Sequence, residues 1–397
     1  MVQGRVSAWV FGAFIAALAP AAGAETPGLR VAIAYLRAEA RLPPTLSNLD
    51  PVPADLGIAG AMVALADTRT TGQFLGHDYQ LDLTSAPPET APLPAARGAL
   101  AAADLVLVDA TADQMLAIAD LPEAQGKILF NVASGEGRLR SGDCRVNLLH
   151  TLPEDSARTD ALMQVLVAKR WTRLALITGP KSADAAYAEA LRASARKFGL
   201  EIVGEKAWTF DTDLRRAATT ELPPFTQDLP DHDVLLVADE TDDFGRYVEH
   251  NTWLPRPIAG SEGLEPLGWS PVLEQWGAVQ LQNRFKAAAG RPMQSRDYAA
   301  WVAIRAIGEA VTRTGSADPA VLRAYMLSDA FQLDGFKGRA LTFRGWNGQM
   351  RQPIAVANGR ALVTLAPVEG FLHQRNETDS LGLDAPESDC HAFGATP

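Results

Sequence analysis

Short apolar runs, each followed by a stretch with helical spacing, recur along almost the whole chain, and this alternation constrains the fold more than any other feature. Arg30 to Leu36, Tyr79 to Leu83, Leu105 to Asp109, Lys127 to Val132, Leu174 to Thr178, Ile202-Val203 and Val234 to Ala238 read as strands. Between the first two, Ile58, Ala61, Met62 and Leu65 fall on one face of a helix, and Gly72 to Gly76 reads as the turn that ends it. Helices also follow at Ala95 to Ala103, Asp113 to Ala119 and around Leu162 to Leu166, the last closed by Lys169 and Arg170, whose charges suit a C-terminal dipole. Ser182 is placed to cap a helix carrying Tyr187, Leu191, Ala195 and Phe198, with Gly199 as its stop. A long helix is expected from Asp297 to Thr314, and Asp318-Pro319 starts another. Strands that alternate with helices predict parallel sheets covered by helices. About eight or nine such units are too many for one compact doubly wound sheet, so two lobes are expected. From Pro367 the periodicity is lost, and the end of the chain is expected to wrap the surface.

The first residues read as an export signal. Met1 to Arg5 carries one positive charge, Val6 to Leu18 is apolar or small, and Ala22-Gly23-Ala24 supplies small residues before Glu25. Residues 1–24 are therefore expected to be a signal peptide cut between Ala24 and Glu25, which places the mature chain in the periplasm. The remainder, roughly 370 residues, suits two domains. With 36 basic and 47 acidic residues the net charge is −11, which argues against nucleic acid or anionic lipid as a partner. Two cysteines, Cys144 and Cys390, permit one disulfide in an oxidising compartment, tying the tail to the middle of the chain.

Catalytic motifs are missing from the sequence. There is no Gly-x-Ser-x-Gly elbow, no His-Glu-x-x-His and no phosphate loop, and Ser134-Gly135-Glu136-Gly137 lacks the spacing of a dinucleotide loop. A binding protein without a cofactor is expected rather than an enzyme. Asp239-Glu240-Thr241-Asp242-Asp243 follows the strand Val234 to Ala238, at the strand end where open α/β sheets bind ligands. Its acids suit an amine or a hard cation, and equally the N-terminus of a helix.

The order of these elements resembles the type I periplasmic solute-binding proteins of the branched-chain amino acid receptor family. Gly57 to Leu83, Lys127 to Leu139, Leu174 to Gly199, Ile258 to Gly263 and Arg291 to Ile307 carry the likeness. Gly268-Trp269, Trp276-Gly277-Ala278, Gln280-Leu281-Gln282, Phe343 to Gln349 and Gly370 to Cys390 are similar to a subfamily linked to quinoprotein (pyrroloquinoline quinone-dependent) alcohol oxidation. The resemblance implies two doubly wound α/β lobes joined by crossover hinges. Residues 28–150 plus 272–330 would form lobe 1, 151–271 plus 331–374 lobe 2, and 375–397 a C-terminal tail. It also implies a monomeric solute receptor serving an ABC permease, with a quinoprotein dehydrogenase system as a further partner. Carried across position by position, it implies that Thr111, Ser134, Glu240 and Glu262 face the cleft, Glu262 meeting a positive group. The loss of aromatic and hydroxyl positions departs from an ordinary amino-acid pocket. The alternative ligand is a metal ion such as a lanthanide on Asp239, Glu240, Asp242 and Asp243 with Glu262. Pyrroloquinoline quinone itself, with three carboxylates, would need Arg37, Arg138 or Arg246 turned inward.

Overall fold

The computed structural model describes residues 1, 28–40, 51–210 and 217–394. The expected signal segment and its cut between Ala24 and Glu25 lie outside these residues, Met1 apart. Among the described residues no helix is long and apolar enough to cross a membrane.

The first lobe is built on five parallel strands in the order β2-β1-β3-β4-β5. They are β1 (Leu29–Ala38), β2 (His77–Ala86), β3 (Leu105–Asp109), β4 (Ile128–Asn131) and β5 (Leu148–His150). The run Leu105–Asp109 is buried throughout because helices cover both faces of the sheet. Those helices include α1 (Ile58–Leu75), α2 (Leu93–Ala102) and α3 (Ala112–Ala119). The expected turn at Gly72 is overturned: α1 runs to Leu75 and ends at Gly76, in the left-handed conformation. Gly72 is instead a contact residue, since a Cβ there would lie 2.8 Å from the Tyr79 ring.

The second lobe has four parallel strands in the order β7-β6-β8-β9. After α4 (Asp155–Lys169) come β6 (Arg173–Thr178), α5 (Ser182–Lys197), β7 (Glu201–Ala207), α6 (Ala218–Thr226), β8 (Val234–Ala238), α7 (Gly245–Val248) and β9 (Ile258–Gly260). Ser182 is the first helical residue of α5 rather than its cap; the Asp184 carboxylate accepts from the Lys181 amide and does the capping.

The chain then returns. Strand β10 (Glu265–Leu267) leads to α8 (Ala278–Ala289), α9 (Ser295–Thr314) and α10 (Pro319–Met326), which pack on the first-lobe core. Helices α1 and α9 meet closely: a Cβ on Gly60 would sit 1.9 Å from the Asp297 carbonyl oxygen. Two small antiparallel sheets follow, β11 (Leu333–Asp334), β12 (Ala340–Phe343) and β13 (Met350–Arg351) in one, and β10 with β14 (Ile354–Ala357) and β15 (Leu362–Ala366) in the other.

The expected assignment of 331–374 to lobe 2 is corrected by this packing. Phe331, Leu333, Leu341, Phe343 and Met350 belong to the first-lobe core, whereas Ile354, Val356 and Ala366 belong to the second. The chain crosses between the lobes around 352–353: the apolar residues of β11–β13 pack on the first core, while β14–β15 lies over both, with Ile354, Val356 and Ala366 in the second core and Ala355, Leu362 and Leu365 against the first. The other two crossings are 151–154 and 268–277.

Cys144 and Cys390 are joined in a disulfide, with their Cα atoms 5.6 Å apart. The segment after Pro367 lies along both lobes, as Leu381 packs in the second-lobe core and Phe393 against the first.

Candidate functional site

The strands of each sheet end at the groove between the lobes, and the crossover segments form its floor. A cleft of about 440 Å³ lies there. Leu56, Ala133, Met293, Gln294, Ser295 and Arg296 line it from the first lobe, Arg158 and Glu240 from the second. Leu152, Pro153, Glu265, Leu267, Gly268, Trp269 and Pro271 come from the crossings and β10. A second cavity of about 460 Å³ lies between α1 and α8, lined by Ile58, Met62, Val63 and Ala289 among others. It involves one lobe only, so lobe movement leaves it open.

The floor of the cleft is rigid. Trp269 stacks on Tyr298 at 4.7 Å and Tyr298 on Trp301 at 5.8 Å, with the buried Lys337 ammonium 4.2 Å from the Tyr298 ring centroid. Each fully buried side chain of this size contributes about 1.5–3 kcal/mol through removal from water. Burial without an anionic partner holds the Lys337 amine well below its ordinary range.

The second-lobe wall is ionic. Arg158, one turn into α4, donates from Nη1 and Nη2 to the two carboxylate oxygens of Glu240 at 2.7 and 3.1 Å. It also donates to Asp155 at 3.2 Å, and its guanidinium lies 4.6 Å from the Tyr187 ring centroid. Burial alone would push the Glu240 carboxyl up, but the charge and hydrogen bonds of Arg158 hold it below its ordinary value. Asp155 is less fully compensated, and burial raises it to about 6.

Glu265 differs from both. It lines the cleft from β10, and among the described residues no hydrogen-bond or ion-pair partner reaches its carboxyl. Burial, with the nearby charge of Glu262 adding, pushes it up to about 8. The Tyr187 hydroxyl, close enough to feel the charges of Arg158, Glu240, Asp155 and Glu265, is also buried without a hydrogen-bond partner. A desolvated carboxyl lining the cavity is a polar group that a solute can satisfy, whereas the Tyr187 hydroxyl lies in the second-lobe core behind the lining.

Of the residues expected in the cleft, Glu240 lines it and the other three do not. Thr111 is exposed and caps α3: its Oγ1 accepts from the Gln114 amide while Gln114 reaches back to the Thr111 amide. Ser134 is buried in the loop after β4, where its carbonyl accepts from Asn131 and Arg140 and its hydroxyl accepts from the Glu136 amide. Glu262 is half-buried and raised by burial, but it sits behind the cleft lining, its Cβ 3.2 Å from where a Cβ on Gly245 would stand.

The acids of the run are each engaged within the chain. Asp239 accepts from the backbone amides of Asp243, Phe244 and Gly245, closing the loop that enters α7. Asp242 pairs with Arg246, Asp243 with Lys181 and Glu240 with Arg158. Among the described residues no group of three or more His, Cys, Asp or Glu side chains is placed to hold a metal ion. The hydrogen bonds of Asp239 accord with the helix-entry reading of Asp239 to Asp243. Arg37, Arg138 and Arg246 do not line the cleft; each is held by an acid, Asp109, Asp113 and Asp242 respectively.

Sequence reasoning missed Arg158, Asp155 and Glu265, and it saw Tyr187 only as an apolar helix position. The Asp155/Arg158 spacing was the one local signal, a pair three apart on a helix.

A model of the periplasmic binding proteins matches residues 54–219. No significant match is found among curated protein sequences. Among solved structures, a branched-chain amino acid ABC transporter periplasmic ligand-binding protein from Burkholderia xenovorans superposes with a TM-score of 0.70 at 15% identity, covering 91% of this chain and 100% of its own. A leucine-, isoleucine-, valine-, threonine- and alanine-binding protein from Brucella ovis, in its closed conformation, gives 0.67 at 15% identity, with 92% and 99% covered. A solute-binding protein from R. palustris in complex with benzoate gives 0.62 at 14% identity, with 92% and 99% covered. The two parallel sheets, the three crossings and these superpositions identify the chain as having the type I periplasmic binding protein fold, with residues 54–219 matching that family's model.

Proposed function

We propose that this chain is the extracytoplasmic solute-binding component of an ABC-type importer, and that its solute carries a positively charged nitrogen on an apolar body. The observation that carries the reading is Glu265, a desolvated carboxyl with no partner, set in a cleft whose other acids are already engaged. Leu152, Pro153, Leu267, Met293 and Pro271 supply the apolar surround. An ammonium brought beside Glu265 gains an anion in a water-poor site, where the attraction exceeds its value in bulk water.

The mechanism follows from the architecture. Groups from both lobes and from the crossings line one cavity, so rotation about the crossings brings them onto the solute together. The solute's differential contacts with the closed arrangement shift the equilibrium towards it. The closed form then docks on a permease, and the protein acts as a receptor rather than as a catalyst. Export to the periplasm, suggested by Met1 to Ala24, fits this role. The likeness of Phe343 to Gln349 and of the tail to receptors tied to quinoprotein alcohol oxidation adds that the solute belongs to that metabolism. The Brucella ovis and R. palustris proteins bind, by their descriptions, amino acids and benzoate. Here the first-lobe hydroxyls Thr111 and Ser134 are committed to backbone groups, which favours a solute without an α-carboxylate.

Thermal unfolding with a panel of alkylamines, the matching carboxylates, neutral amides and leucine tests this. Amines should raise the melting temperature, since a ligand at 100 times its Kd adds about 2.7 kcal/mol. Glu265→Gln should abolish that shift. Stabilisation by carboxylates alone, unchanged in Glu265→Gln, would overturn the reading.

A further inference from the structure

Two lobes joined by three short crossings can rotate unless something else ties them together. The end of this chain does so. On the second lobe, Leu381 is buried in the core, and the Gly382 amide donates to Asp160 of α4 at 2.9 Å. The Gly382 carbonyl accepts from Lys197 of α5 at 3.0 Å, and the Leu383 amide donates to Glu154 at 3.0 Å. Gly382 has φ +78°, and a Cβ there would lie 1.8 Å from the Glu154 carboxylate, so only glycine allows this approach.

A few residues later the same segment is fixed to the first lobe. The Ser388 hydroxyl donates to the Arg140 carbonyl at 2.8 Å, and the Asp389 amide donates to the Ser141 hydroxyl at 3.0 Å. Cys390 is bonded to Cys144, and the Arg323 guanidinium lies 5.3 Å from the Phe393 ring centroid. Arg140 in turn donates to the Leu152 carbonyl in the first crossing, so the attachment lies beside the axis about which the lobes turn.

We infer that the C-terminal tail is a strap which, pinned by the Cys144–Cys390 disulfide, limits how far the two lobes rotate relative to one another. The slack in it is small. Between Leu383 and Ser388 the chain forms a 3-10 turn, Ala385–Glu387, closed by a capping box between Asp384 and Glu387. Unwinding three residues from about 2.0 Å to about 3.4 Å of rise each lengthens the link by only about 4 Å. A larger opening has to pull Leu381 from its core, break the ion pairs of the tail, or break the covalent bond. The disulfide converts a set of weak tail contacts into a tether that cannot peel away. As far as the strap governs solute exchange it rests on the proposed function; as a limit on lobe rotation it does not.

Single-molecule energy transfer tests it in the full-length mature protein, with dyes on azidophenylalanine at the exposed positions Gln125 and Glu201, one on each lobe. Two variants are compared with the parent: Cys144→Ala with Cys390→Ala, and a Gly/Ser spacer of about eight residues inserted between Glu387 and Ser388. The spacer keeps the disulfide and the contacts of Leu381 to Leu383 and of Ser388 to Phe393 with the two lobes, gives up only the Ser388 amide to Ala385 carbonyl bond of the turn, and lengthens the link. Both variants should broaden the distance distribution towards longer separations, and amine release from the cleft should quicken several-fold in both. Unchanged distributions in both variants would overturn the strap. So would a change in the cysteine variant alone, which would make the bridge a local staple. Because the distances need no solute, failure to find any ligand leaves this test intact.

Discussion

The cleft centres on a half-buried arginine and the tail on a buried one, and the two are balanced differently. Arg344, 2% exposed, is saturated: it donates to Asp379 at 2.9 Å, to Glu154 at 3.2 Å and to the carbonyls of Leu381 and Leu383 at 2.6 and 3.0 Å. Asp379 has a second cation in Arg351 at 2.7 Å. Arg158 in the cleft binds Glu240 and Asp155, and the next acid along, Glu265, is left without a counter-ion. One network pairs its arginine with two acids and two carbonyls, leaves one buried Glu154 carboxylate oxygen without a hydrogen bond, and fixes two chain segments in register. The other leaves one half-buried carboxyl, that of Glu265, without a hydrogen-bond or ion-pair partner among the described residues, and burial raises it to about 8.

This contrast is broken most severely by removing Arg344. Arg344→Ala leaves the Glu154 carboxylate buried without a cation and frees two carbonyls, and loss of one member of such a network costs about 3–5 kcal/mol. Urea unfolding should show that loss, together with release of the tail to proteolysis after Pro367. A loss under about 1 kcal/mol, as for an exposed pair, would mean that the tail network is not a lock.

A smaller effect is expected from pH, and it sharpens the other half of the comparison. Glu265 titrates near 8 in the folded protein against an ordinary 4.5, so the folded state holds a proton that the unfolded state has lost in that window. The contribution of Glu265 to stability is therefore present in full below about 4.5 and is lost as the pH rises towards 8. Asp155, raised to about 6, adds to the lower part of the decline. Melting temperatures of the empty protein should fall between pH 6 and 8, the fall should flatten in Glu265→Gln, and a bound amine should oppose it by favouring the ionised carboxyl. Identical pH profiles for the parent and Glu265→Gln would remove the uncompensated acid from the account.

Much of the fold was legible in the sequence, because buried parallel strands write themselves as unbroken apolar runs. Leu105–Asp109 and Val234–Ala238 were read to the residue, and all ten of their residues are buried. Gly72 was misread because a glycine pressed against Tyr79 inside a helix looks, in sequence, like one that ends a helix. Asp318 followed by Pro319 was read correctly because a cap is a local device: its carboxylate accepts from the Ala320 and Val321 amides.

The site was less legible for a physical reason. Arg158 and Glu240 are 82 residues apart, and nothing near either one announces the other. Glu265 matters for what fails to reach it, which only the packed structure reveals. The acidic run left both readings open because a carboxylate on three backbone amides and one on a metal ion have the same sequence. Thr111 and Ser134 were expected to hold a solute, but short hydroxyl side chains near strand ends are equally suited to cap the backbone there.

The central claim is that a cationic solute is held between the lobes at the crossings. Hydrogen exchange with and without a saturating amine tests it most directly. The account predicts slowed exchange at 293–296 of the first lobe, in the loop around Glu240 of the second, and at 151–158 and 265–269 by the crossings, all at once. Protection confined to the α1–α8 cavity around Ile58 and Met62, or to one lobe alone, would contradict it.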